Sequence, residues 1–333
     1  VCKTVEMDSQ VIGHAIRRDG VPVISLVKAL REAVGEKAAP YVHWGATTQD
    51  IVDTATVLQT RSALQIMERR LDLLIERLAE LSERHRATVM AGRTHGQQAL
   101  PISFGFKVAG WLAPLLRHRK RIAEQHTRLL QLQFGGAAGT LAALGDKGLA
   151  VMRGLSQELS LNGPVMPWHS QRDCFGEFAG WLSMLSASLA KMAQDIILMA
   201  QNEVGEVLES GGGDRGGSSS MPQKQNPIVS ELIIAAARTN ASLLSAIHNA
   251  MIQEHERATH GWQVEWLTFS QMILLTGGAL KNALFLAESI KIIDTAMREN
   301  IARSNHLILA EAVVQALSCL LYTSDAADDS IRV

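Results

Sequence analysis

The chain has 333 residues, 47% of them hydrophobic, and a formal net charge of −1. That length holds a large core or two to three domains, and the balanced charge offers no basic field for nucleic acid. The three cysteines, Cys2, Cys174 and Cys319, are too scattered for a disulfide framework or a thiolate metal site, which fits a reducing, cytoplasmic setting.

No apolar run is read as long enough to span a bilayer, and the first residues are not a signal peptide. The chain opens at Val1 inside patterned sequence, so residues 1–50 are expected to be the remnant of an N-terminal helical domain. Leu64, Leu71, Leu74, Leu78 and Leu81 then recur at helical spacing, with Glu68, Arg69, Asp72, Glu76 and Arg77 on other faces. Similar stretches predict helices over about 102–133, 228–252 and 263–295. Leu182, Leu185, Leu189, Met192, Ile196 and Met199 alternate by three and four, as the seam of a bundle requires. Pro101, Pro164, Pro167, Pro222 and Pro227 mark the breaks, and strand alternation is scarce. The expectation is an all-α long-helix bundle over 51–318 whose weakly charged stripes need partner helices, hence an oligomer. Cys319 to Asp328 match no helical pattern and read like a translated sequencing adapter. Residues 319–333 are therefore expected to be a non-native tail replacing a missing small C-terminal domain.

Three polar clusters interrupt the helical pattern. They are Val42–Asp50, Gly92–Gln97, and the glycine-rich run that leads into Gly217–Pro227 and on to Glu231. Taken singly, each has an ordinary reading. Thr47, Thr48 or Asp50 can cap a helix, His95 can be a hydrogen-bonded core histidine, and glycine and serine make linkers. Met221, Pro222, Lys224, Asn226 and Pro227 are not linker composition. A glycine hinge beside hydroxyls, a lysine and an amide suits a loop that closes over a small anion and excludes water. His255 and His260 are five apart, wrong for a zinc helix, and Gln223 rather than glycine precedes Lys224, so this is no phosphate-binding P-loop. The basic patch Arg117–Arg121 lacks aromatics and reads as a solvated face.

In order and spacing the three clusters resemble the signature regions of the fumarase/aspartase superfamily. Residues 217–227 match every fixed position of its loop, Gly-Ser-Ser-x-Met-Pro-x-Lys-x-Asn-Pro. The nearest branch resembles the 3-carboxy-cis,cis-muconate cycloisomerases, through Tyr41–Asp50, Leu132–Leu144, Pro167–Asp173 and Gln253–Arg257 with Trp262 and Trp266. Adenylosuccinate lyases are a more distant match. Bacterial cycloisomerases of that branch typically carry tryptophan and alanine where His95 and Glu231 stand. The His and Glu found here resemble the pair of the true lyases. Ala258–Trp266 does not resemble the phosphate-holding segment of the adenylosuccinate lyases, so no nucleotide substrate is expected.

The resemblance implies a homotetrameric helical core with composite sites built from three subunits, and no metal or organic cofactor. It implies proton abstraction beside a carboxylate of a small di- or tricarboxylate, then loss of a group from the next carbon. Ser218 is the implied base, with Ser219 and Ser220 as fallbacks. Lys224, Asn226, Thr47, Thr48 and Thr94 supply the cation and donors that a dianionic intermediate needs. His95 with Glu231 is implied to orient substrate and assist the leaving group. His43 is a second acid or a substrate contact, Met221 a substrate-binding residue, and Gln171 and Arg172 candidates for a distal carboxylate. β-Elimination is the first reading and lactonisation of a carboxymuconate the alternative. An inactive helical fragment or scaffold is the alternative from another class.

Overall fold

The structure, a computed structural model, describes residues 4–209, 217, 221, 224–305 and 307–321, the last three by backbone alone. In chain order the elements are α1 (Ser9–Asp19), α2 (Val23–Val34), α3 (Thr48–Arg84), β1 (Val89–Thr94), β2 (Gln97–Ser103), α4 (Phe104–Leu129), α5 (Gly148–Leu159) and α6 (Asp173–Met199). They continue with β3 (Val207–Leu208), α7 (Ile228–Ala250), α8 (Gly261–Ser289), β4 (Lys291–Ile292), α9 (Asp294–Ala302) and α10 (Ala310–Leu321). The contacts gather into two units. One comprises Val1–Ile66, Arg121–Leu182 and Ala241–Leu274; the other comprises Met67–Lys120, Ser183–Asn240 and Leu275–Val333.

In the first unit, α1 starts where Asp8 accepts from the Gln10 N–H at 2.8 Å and stops at Gly20, whose φ of 73° suits a left-handed cap. The core gathers Val57, Leu64, Ile122, Leu132, Phe134, Phe178, Trp181 and Ile247, all buried. Phe175 stacks on Phe269 with centroids 4.7 Å apart. In the second unit the predicted stripe of α3 is buried from Leu71 to Leu81, as is the seam Leu185, Leu189, Met192, Ile196 and Met199 of α6. Each such side chain contributes about 1.5–3 kcal/mol by leaving water. Asn240 crosses this core, donating to Ser186 Oγ at 2.7 Å and Thr276 Oγ1 at 2.9 Å.

The all-α bundle stands, with four corrections. The scarce strands include a real hairpin, β1 paired antiparallel with β2, where the sequence showed only a break at Pro101. The helix expected to reach residue 295 ends at Ser289, because Lys291 and Ile292 pair with Leu208 and Val207 before α9 begins. By length and a mean hydropathy of 1.2, α6 and α7 could cross a membrane, against the reading that no run is long enough; half of that α6 window is buried within the protein. Helix α10 runs on to Leu321, past the point where helical pattern was read to stop. Residues 322–333 of the suspected tail lie outside the described residues.

Candidate active site

The first cluster shapes the start of α3. His43 and Gly45 adopt φ of 63° and 73°, turning the chain sharply before the helix. A Cβ on Gly45 would lie 2.5 Å from Leu144 Cγ, so no larger residue fits. Asp50, buried, accepts from the Thr47 N–H at 2.8 Å, the acidic half of a capping box. It also accepts from Gly135 N–H at 3.0 Å, Gly136 N–H at 2.9 Å and His169 Nε2 at 2.7 Å. Asp50 thus binds the helix start to two loops. Gln49 donates to the His169 carbonyl at 2.8 Å. Arg257 donates to Thr47 Oγ1 at 2.7 Å and Gln49 Oε1 at 3.3 Å.

These bonds leave Thr48 and His43 facing a cavity of about 510 Å3 that Lys28, Arg31 and Glu32 of α2 also line. Lys28 and Arg31, set against the Glu32 carboxylate, leave one net positive charge beside the N-terminus of a 37-residue helix, an arrangement that favours a bound anion. Burial lowers the His43 pKa and Arg31 lowers it further, against an opposing pull from Asp50. Its Nδ1 is buried with no hydrogen-bond partner among the described residues.

Gln171 is exposed and donates to Ser170 Oγ at 3.2 Å. The distal-carboxylate reading of Arg172 is corrected. Its guanidinium has no exposed surface, and it donates to Asp53 at 2.7 and 3.1 Å and to Glu265 at 2.9 and 2.5 Å. Burial works against its charge, but the two carboxylates more than offset this and raise its pKa. It has no surface to offer a ligand.

In the second unit, Thr94 and His95 are exposed at the tip of the β1–β2 hairpin. Thr94 pairs with Gln97, and the two residues between them, His95 and Gly96, have φ of 50° and 79°. That is the two-residue turn whose twist suits a hairpin. The third cluster frames the start of α7. The Glu209 carboxylate accepts from the N–H groups of Val229 and Ser230 and from Ser230 Oγ, each at 2.9 Å. It thereby caps α7 with a residue that lies two positions before the glycine run. Gly217 bridges to Gln225 in antiparallel fashion, and Lys224 N–H donates to the Met221 carbonyl at 3.0 Å. Met221 and Lys224 are exposed, Asn226 is half-buried, and Glu231 is exposed in the first turn of α7. Ser218, Ser219 and Ser220 lie outside the described residues.

His43 and Thr48 are thus brought to one cavity, and Lys224, Asn226 and Glu231 to one helix start. Among the described residues, His95 and Glu231 are not hydrogen-bonded to each other. Sequence reading missed Lys28 and Arg31, although their spacing of three put both on one helix face. It also gave Arg257 no role beyond its place in a matching stretch.

The chain is thus an all-α long-helix fold with polar turns at its helix starts and, at one of them, a cavity lined by Lys28, Arg31, Glu32, His43 and Thr48. The profile of the family described as lyase matches residues 4–239. The chain is 46% identical over 320 residues to 3-carboxy-cis,cis-muconate cycloisomerase of Pseudomonas aeruginosa, covering 95% of this chain and 70% of that protein. Its structure is similar to that of a fumarate lyase from Mesorhizobium sp. BNC1, with a TM-score of 0.92 and 40% identity, covering 99% of this chain and 74% of the other. It is equally similar, at TM-score 0.92 and 42% identity, to the 3-carboxy-cis,cis-muconate lactonizing enzyme from Pseudomonas putida, covering 98% and 74%. The chain belongs to the lyase family, within the fumarase/aspartase superfamily.

Proposed function

We propose that this enzyme breaks a carbon–heteroatom bond β to a carboxylate in a small di- or tricarboxylate, releasing an alkene of the fumarate type. The observation that carries the reading is the cavity where Lys28, Arg31, His43 and Thr48 surround the start of α3. There the helix N-terminus, the threonine hydroxyls and two cations hold one carboxylate. Ser218 takes the proton from the adjacent carbon. The electron pair passes into the carboxylate, whose second negative charge Lys224 and Asn226 receive. The pair then returns to form the double bond, and the leaving group departs with a proton from His95, with Glu231 as its companion in orienting the substrate. A serine works as base only in a dry, donor-rich site.

Thr94, Met221 and Gln171 complete the substrate contacts in this reading. The site is composite, drawn from subunits of a homotetramer. In support, long helices expose apolar side chains, with Leu274 at 74%, Leu267 at 68% and Leu232 at 55% of full exposure. Three cysteines without a pairing pattern fit the cytoplasm.

Lactonisation of a carboxymuconate is the second reading, favoured by the 46% identity to a cycloisomerase. It uses the same carbanion, with the leaving oxygen tethered to the substrate. Both reactions are to be assayed on the purified protein, with its size measured by chromatography. Alkene absorbance arising from N- or S-succinyl compounds, with carboxymuconate untouched, is the expected result. Carboxymuconate consumption alone establishes the second reading, and a monomer inert to both establishes the scaffold. Ser218→Ala is expected to abolish turnover while substrate still binds.

A further inference from the structure

The hairpin that carries His95 is tied down one rung below its tip, and both of its strands end on the same anchor. Arg93 of β1 donates to Glu206 Oε2 at 2.8 Å and Oε1 at 2.7 Å, and Glu206 has no exposed surface. Its cross-strand partner Gln98 of β2 donates to the Asn300 backbone carbonyl at 3.0 Å. Asn300, buried in α9, joins the two ends. Its amide donates to Glu206 Oε1 at 2.9 Å and to the Val204 carbonyl at 2.7 Å. The carboxylate is also fixed along its own chain, because the Glu206 N–H donates to the Met199 carbonyl and its carbonyl accepts from Ile293 N–H, both at 2.9 Å.

A two-stranded hairpin is marginal alone in water, and this one is further weakened by Gly92 and by the irregular register between Ala91 and Arg93. Only the Thr94–Gln97 rung and the two turn residues project beyond the tie. An exposed imidazole on such a short lever takes its position from the rung beneath it. A buried, bidentate, doubly anchored carboxylate is more than a surface hairpin needs for solubility, and it suits a tip whose position matters.

We propose that Glu206 and Asn300 are positioning residues for His95: they hold the Arg93–Gln98 rung so that the imidazole meets the substrate at a fixed place. The proposal rests on the catalytic role given to His95 above. Neither residue touches substrate. Loosening the tie therefore lowers kcat more than it raises KM, and it does so only while His95 is present. A misplacement of about 1 Å in a catalytic group costs on the order of a hundredfold in rate.

The test combines hydrogen exchange with a double-mutant cycle on the whole protein. Asn300→Ala keeps the Arg93–Glu206 charge pair and so preserves the fold; Glu206→Gln is the more severe variant, and Asn300→Gln tests rescue. In Asn300→Ala, amide exchange in the peptide covering residues 94–97 is expected to speed up tenfold or more while the peptides of α7 and α8 keep wild-type protection. Unchanged exchange at the tip overturns the clamp, whatever the reaction proves to be. In the activity arm, Asn300→Ala is expected to lower kcat about tenfold or more with KM within twofold, and to have no further effect in a His95→Ala background. An equal loss in both backgrounds means a general structural role and also overturns the proposal. Should His95→Ala alone leave turnover intact, the catalytic reading of His95 fails, and this positioning role fails with it.

Discussion

Arg172 and Asp53 form a bidentate ion pair, 2.7 and 3.1 Å long, in which neither side chain reaches solvent appreciably. Glu265 closes the other side of the guanidinium, the indole N–H of Trp262 donates to Asp53 at 2.8 Å, and the guanidinium lies 4.8 Å from the ring centroids of both Trp168 and Phe175. Arg172→Met fills similar space but leaves two buried carboxylates without a counter-charge. Breaking a buried pair this way costs about 3–5 kcal/mol, so a large fall in thermal midpoint is expected by scanning calorimetry.

The same triad gives a pH signature. Burial raises the Glu265 pKa above its ordinary value, although Arg172 pulls the other way. A carboxyl raised in the fold contributes stability that is full below its unfolded pKa and lost as pH rises through the folded one. Removing Arg172 takes away the opposing pull and raises Glu265 further. The deficit of Arg172→Met relative to the parent is therefore expected to be largest near neutral pH and to narrow toward pH 4.5. Denaturant midpoints across that range measure it; a deficit independent of pH contradicts the account.

Sequence and structure diverge at this triad for a physical reason. The α3 and α6 stripes were legible because a bundle seam imposes a period of three and four along one segment. The polar clusters were legible because a loop motif keeps its residues adjacent. Arg172 finds its carboxylates 119 and 93 residues away in the chain, a relation no local pattern encodes, and an arginine beside polar residues reads as a ligand. The hairpin was missed because Gly92, Pro101 and the shift between Ala91 and Arg93 erase the alternation that announces a strand. Lys28 and Arg31 gain meaning only once the turn through His43 and Gly45 brings Thr48 beside them.

Cys174 is expected to be a sluggish nucleophile. Burial, with Asp173 and Glu177 nearby, raises its pKa to about 11, so little thiolate forms near neutrality. Alkylation followed by peptide mass spectrometry should show slow labelling at pH 7.5 that accelerates steadily toward pH 10. Fast labelling at pH 7.5 would falsify that environment.

His43 should respond to Arg31. Burial, then Arg31, lowers its pKa below 6.5. The unfolded chain then binds more protons in that window, so the stability tied to this group is present above pH 6.5 and lost as pH falls through the lowered value. Arg31→Ala removes one lowering influence. The His43 titration, followed by NMR, should move upward in the variant, and KM for a carboxylate substrate should rise through loss of a cation from the cavity. A titration that stays still or moves down contradicts the geometry of that cavity.

Asp50 offers the sharpest separation of stability from binding at the start of α3. Each of its oxygens accepts two hydrogen bonds, Oδ1 from Gly135 N–H and His169, Oδ2 from Thr47 N–H and Gly136 N–H. Asp50→Asn replaces one acceptor with a donor. His169 can change tautomer and accept, but a backbone N–H on the same side cannot, so at least one buried donor is left unpaired. That costs about 1–3 kcal/mol. Thr54→Val is the control, because it breaks a comparable buried exchange with the Gln133 backbone, at 2.9 and 3.1 Å, without touching the Thr47–Thr48 turn. Both variants are expected to melt earlier. Only Asp50→Asn should also weaken substrate binding, since only there does the helix start that faces Lys28 and Arg31 lose its tie to the Gly135–Gly136 loop. Equal effects on KM in the two variants would show that the turn does not hold the carboxylate.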